Sequence, residues 1–177
     1  DLELSLIVLA WGGMRRSNAR LALISMDLWL PIVGEMRAGT LKRKAAFRRF
    51  HDLRVSGALK GMGAAYYTKL IFFLMSEKNK RGYIMDQWIA RSINVLYDTD
   101  FIKMNGSGDA LHVNDYNNAS VYKEFCKILE SLAEKLELSP IDAEEKIFSW
   151  GGTVKGSWRQ FVIDYKINGG LKTEKIK

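Results

Sequence analysis

Leu59-Lys60-Gly61-Met62-Gly63 lies between two stretches of helical periodicity and constrains the fold more than any other segment. Its order is apolar, any residue, glycine, apolar, glycine. Two glycines so placed permit a turn too tight for a Cβ, and the apolar residue between them can plug back between the two helices. Backbone N–H groups at such a turn, and at the start of the next helix, point outward where the helix dipole favours a phosphate. An ordinary helix–helix turn has the same spacing, so the surroundings must decide. Eight basic residues stand between Arg37 and Lys60 against one acid, Asp52. A charge run is often a solvated face. Directly before an anion-binding turn, it points to contact with a nucleic-acid backbone.

The rest of the 177 residues reads as helix almost throughout. Helices are expected over Leu2–Ala10, Asn18–Met36, Leu41–Val55 with Thr40 as cap, Ala64–Met75 and Asp86–Leu96. A polar stretch from Asp98 to Asn118 leaves room for a short hairpin at most. Val121, Phe125, Ile128, Leu132 and Leu136 then form an amphipathic stripe, followed by helices over Ile141–Trp150 and Gly156–Ile167. An apolar content of 47% is enough for a core. The lone Cys126 excludes a disulfide framework, a cysteine-rich zinc site and a cysteine-ligated iron–sulfur cluster, and a reducing compartment fits best. No metal site is expected, since His51 and His112 have no partner at ligand spacing. The net charge of +7 suggests a polyanionic partner. Leu4–Ala10 is too short to span a bilayer, and Leu21–Val33 is interrupted by Asp27 and Pro31. The first residue is Asp1 rather than Met, which leaves room for residues upstream.

Downstream of the turn runs Tyr83-Ile84-Met85-Asp86-Gln87-Trp88-Ile89-Ala90-Arg91, with Asp86 at an expected helix start 23 residues after Gly63. Aspartate is a favoured N-cap, and capping alone would account for it. Taken together, the hairpin and this aspartate resemble the helix-hairpin-helix base-excision DNA glycosylase superfamily. The match runs from Leu59 to Leu96, about a fifth of the chain. The surrounding helices and Trp150-Gly151-Gly152 look like bacterial proteins with the 8-oxoguanine DNA glycosylase fold.

The resemblance implies an all-α, two-lobed fold with a cleft between the lobes, in a single helical domain over residues 1–177. The helix-hairpin-helix would occupy about 45–75, the aspartate helix about 86–96, and the C-terminal helices about 119–167. It implies a DNA glycosylase that hydrolyses the N-glycosidic bond of an oxidised or modified purine, 8-oxoguanine by default, for base-excision repair. Asp86 would stabilise the oxocarbenium-like sugar, held in its charged form at the helix N-terminus. Lys60, Gly61, Met62, Gly63 and Ala65 would contact the DNA backbone, with binding sensitive to salt.

Bifunctional members of the superfamily carry a lysine two residues after the second hairpin glycine. Here that residue is Ala65, so hydrolytic, monofunctional chemistry is expected. Lys69, one helical turn on, is the remaining amine, and a phosphate contact or a surface position is open to it as well. Trp11, Gly12 and Trp150 are candidates for the base pocket, with a place in the core as the alternative. Tyr66, Tyr67, Phe72 and Phe73 are expected in the core. No cofactor is expected. A monomer acting on duplex DNA in the cytoplasm, near the nucleoid, completes the picture. Two other readings stay open: a DNA-binding module that kept the hairpin and lost the chemistry, and a glycosylase fold acting on modified phage bases in bacterial defence.

Overall fold

The computed structural model describes residues 1–107, 110–149, 153–166 and 170–171. Its helices are α1 (Leu2–Trp11), α2 (Arg16–Ile24), α3 (Met26–Ala38), α4 (Arg43–Val55), α5 (Ala64–Leu74), α6 (Gln87–Leu96), α7 (Ala119–Leu136), α8 (Pro140–Phe148) and α9 (Ser157–Asp164). Two antiparallel strand pairs complete it: β1 (Met104–Asn105) with β2 (His112–Val113), and β3 (Tyr165–Lys166) with β4 (Gly170–Leu171). The fold is all-α, as the periodicity implies. Trp150, Gly151 and Gly152 lie outside the described residues.

Side-chain caps set several helix starts. Asn118 Oδ1 accepts from Ser120 N (2.8 Å) and Val121 N (3.2 Å) at α7, and Ser139 Oγ accepts from Asp142 N (3.2 Å) at α8. Three expected boundaries differ. The helix expected over Asn18–Met36 is broken at Ser25. The Ala22 carbonyl accepts from Ser25 Oγ (3.2 Å) and from the Trp29 indole N–H (2.8 Å), so side chains take up an acceptor that a continuous helix would use. Thr40 does not cap α4; its hydroxyl donates to Glu35 O (3.1 Å) and closes the end of α3. The last helix stops at Asp164, where the chain turns extended into β3.

The core is one continuous cluster. Phe47 on α4 stacks on Tyr122 of α7 at 4.3 Å between centroids and meets Tyr67 of α5 edge-on at 5.1 Å. Phe50 stacks on Tyr67 at 5.4 Å. Met62 is fully buried, the plug expected of the hairpin. Gly61 has φ +75°, and a Cβ there would collide with the Asn18 backbone carbonyl of α2. Gly61→Ala is therefore expected to destabilise the protein by about 1–3 kcal/mol, read as a lower urea midpoint at unchanged slope.

The basic run divides in two. Arg37 pairs with Asp1, Arg43 with Glu130 (2.6 Å), Arg49 with Glu35 (2.6 Å) and Arg54 with Asp115 (3.0 Å). Lys42, Lys44, Arg48 and Lys60 form no ion pair among the described residues. The same segment thus ties α4 to its neighbours and leaves three cations along its N-terminal half and one, Lys60, in the hairpin.

Candidate active site

The extended segment before α6 carries Asp86, and three helices hold it in place. Thr68 of α5 accepts from Met85 N (3.0 Å) while donating to Ala64 O (2.6 Å). The Tyr122 hydroxyl of α7 donates to Tyr83 O (3.0 Å) and accepts from Tyr83 N (3.1 Å). Glu144 Oε1 of α8 accepts from Ile84 N (2.5 Å). Asp86 then caps α6, its Oδ1 accepting from Trp88 N (2.8 Å) and Ile89 N (3.0 Å).

Asp86 opens onto a cavity of about 520 Å³ between α1 and α5 on one side and α6 and α8 on the other. Trp11, Phe72, Phe73 and Phe148 give it aromatic walls, and Ile84, Ile89 and Ile141 add aliphatic surface. Trp11 stands edge-on to Phe73 at 4.9 Å. Its polar groups include Lys69, Asp86 and Glu144. Lys69 Nζ donates to Gly12 O (3.2 Å) and lies over the Tyr66 ring at 5.3 Å. No ion pair joins Lys69 to Asp86 among the described residues; the two line one cavity, and each feels the other's charge.

Burial governs the charges here. Desolvation raises Asp86 above the ordinary carboxylate value, against the pull of the Ile89 N–H, Lys69, the Trp88 N–H and Arg159. The helix N-terminus was expected to hold Asp86 in its charged form; the N–H groups do pull that way, and burial pulls harder against them. Desolvation lowers Lys69, with Asp86 opposing. Glu144 is pushed from 4.5 to about 8 by desolvation, with the Ile84 N–H opposing and Asp86 adding to the rise. The folded protein thus binds the Glu144 proton more tightly than the unfolded chain does. Stability from this group is fully present below about pH 4.5 and is lost as pH rises through about 8. Urea unfolding of Glu144→Gln across this range is expected to show a flatter pH dependence than wild type.

Arg159 of α9 packs against α6 and α8. Its guanidinium donates to Phe148 O (2.5 Å) and Ser149 O (2.6 Å) at the end of α8 and lies 3.9 Å from the Trp88 ring centroid. Trp158 Nε1 donates to Ser92 Oγ (3.0 Å), which itself donates to Ile147 O (2.8 Å). Together these bonds fasten α9 to α6 and α8.

The hairpin residues sit elsewhere. Gly61, Gly63 and Ala65 line a separate depression of about 340 Å³ with Arg54, His112 and Asp115, while Lys60 is exposed beside it. Ala65 and Lys69 therefore face different spaces, one at the hairpin and one at Asp86. Trp11 and Gly12 belong to the cavity, and Trp11 is 66% exposed, so it is no core residue. Phe72 and Phe73 were expected in the core and instead form cavity wall; Tyr67 is core, as expected. Sequence reasoning missed Glu144, Phe148 and Arg159. A signal for Glu144 was available: it stands three residues from both Ile141 and Ile147, on the apolar face of α8.

A family model described as "Putative 8-oxoguanine DNA glycosylase OGG-like protein" matches residues 2–148, and the chain belongs to that family. No curated protein and no solved structure matches the chain. Among the described residues no helix is long and apolar enough to cross a membrane.

Proposed function

We propose that this protein is a DNA glycosylase that draws a modified purine, 8-oxoguanine by default, into the cavity between α1, α5, α6 and α8. The observation that carries this reading is the meeting of Asp86 and Lys69 in one aromatic-walled cavity. A flipped base needs apolar or aromatic surface to replace its lost stacking, and the developing sugar cation needs a carboxylate. Asp86 supplies the charge. Lys69 supplies a nucleophile whose lowered basicity gives more free amine at neutral pH.

The amine lone pair forms a bond to C1′ as the C1′–N9 bond breaks. The electron pair leaves with the base, and the proton lost by the amine passes through Asp86 to that base. The remaining N–H proton moves to O4′ as the C1′–O4′ bond opens to give a Schiff base, and removal of a C2′ proton by the Asp86 carboxylate then expels the 3′ phosphate by β-elimination. Ala65 leads the sequence reading to water as the attacker; the place of Lys69 in the cavity supports the amine. The N–H groups of Gly61 and Gly63, with Lys60, bind the backbone phosphate, while Met62 is buried as the plug.

The test is a gel assay on a labelled duplex carrying one 8-oxoguanine, each sample split between direct loading and hot alkali. Cleavage without alkali is expected. Cleavage only after alkali would return water as the attacker. Intact strands under both treatments, across a panel of modified purines, would leave a binding module.

A further inference from the structure

Glu144 holds the segment that carries Asp86 but takes no part in the chemical steps above, and it is among the most deeply placed ionisable residues of the fold, at 4% exposure. Its Oε1 is held by the Ile84 N–H at 2.5 Å, which fixes the carboxyl against the segment that carries Asp86. Its Oε2 makes no hydrogen bond among the described residues. No buried side-chain oxygen or nitrogen among them lacks a partner, so Oε2 is open to the cavity that Glu144 lines. A buried carboxyl normally has its polar atoms satisfied within the protein. One that is anchored through one oxygen and open through the other is built to meet something in the cavity.

We propose that Glu144 is the specificity contact to the extruded base, donating a hydrogen bond from its free oxygen to a ring nitrogen or carbonyl oxygen of that base. The inference rests on the glycosylase reading and names the chemistry of the ligand in the same cavity. The walls take the faces of a planar ring, and Glu144 reads an acceptor on its edge. Donation requires the acid form. Burial and the nearby Asp86 keep Glu144 in that form at neutral pH, its value being pushed up to about 8. Among the described residues, the titratable and charged groups that act on Glu144 are Asp86 and Arg81 before α6 and Tyr122 on α7, and Lys69 on α5 and Glu145 on α8 line the same cavity. Asp86 acts to keep the proton on Glu144 and Arg81 acts to remove it.

The experiment measures binding of free 8-oxoguanine and free guanine to the whole protein by quenching of tryptophan fluorescence, with Trp11 in the cavity wall as reporter. Wild type, Glu144→Ala and Glu144→Gln are compared from pH 6 to 9.5, with affinity for a duplex carrying an abasic-site analogue as control. Glu144→Ala is expected to weaken base binding roughly tenfold to a hundredfold and to change abasic-duplex binding less than about threefold. Glu144→Gln keeps an acceptor for Ile84 N–H and an N–H donor, so it guards against misfolding and is expected to bind within about fivefold of wild type. Wild-type base affinity should fall as pH rises through about 8, and that of Glu144→Gln should not. Equal binding by wild type and Glu144→Ala, loss in Glu144→Gln as severe as in Glu144→Ala, or no base binding by wild type would each overturn the inference. Base binding that depends on Glu144, in a protein that excises no base from DNA, would refute the glycosylase reading alone.

Discussion

Asp86→Asn is expected to lower single-turnover excision by on the order of 10²–10³-fold or more while leaving the fold intact. Asparagine is as good an N-cap as aspartate, so the bonds from Trp88 N and Ile89 N to the side-chain oxygen survive. What goes is the negative charge beside the sugar. Because burial raises Asp86, its ionised form is disfavoured in the folded protein, and a neutral amide should not lower the melting temperature at pH 7. Loss of activity at unchanged or higher melting temperature therefore separates chemistry from capping. A structural cap would behave the other way: activity would follow stability, and asparagine would preserve both. The charge requirement also has a sign in pH. Excision should fall toward acid as Asp86 takes up a proton and Lys69 keeps its own, beginning above the ordinary carboxylate range.

Lys69→Ala is the second large effect. Strand cleavage without alkali should fall to background, and excision itself should drop steeply, because Lys69 is the one lysine lining the cavity among the described residues. Binding to an abasic duplex should change only a few-fold, since Lys69 lies in the cavity and not at the hairpin. The outcome discriminates between attackers. If Lys69→Ala excised the base at the wild-type rate and lost only the strand break, water would be doing the first step. If it kept both, the lysine would be a bystander hydrogen-bonded to Gly12 O.

These two residues were legible in the sequence for different reasons. The hairpin and Asp86 are local patterns: Gly61 needs a positive φ, Met62 plugs inward, and an aspartate before Gln87 caps a helix. Lys69 was legible only as an amine one turn beyond Ala65. Its value depends on which way that turn of α5 faces, and α1 sets this by bringing Gly12 O to Nζ from 57 positions away. Glu144 and Phe148 enter the cavity from α8, more than fifty residues after Asp86, so no spacing rule connects them. Phe72 and Phe73 look like core by composition; the open space between α1 and α8 makes them wall. The break at Ser25 was hidden because the Trp29 indole, not a backbone breaker, takes the Ala22 carbonyl. The basic run was visible as charge, but its division into four ion pairs and four cations unpaired among the described residues required partners as distant as Asp115 and Glu130.

The most direct test of the central claim, that Asp86 and Lys69 act together in one catalytic cavity, is borohydride trapping on an 8-oxoguanine duplex followed by peptide mapping of the adduct. The account predicts a covalent protein–DNA complex whose modified peptide carries the sugar remnant on Lys69, formed by wild type and suppressed by Asp86→Asn. An adduct on another lysine, or no adduct from a protein that still excises the base, would contradict it.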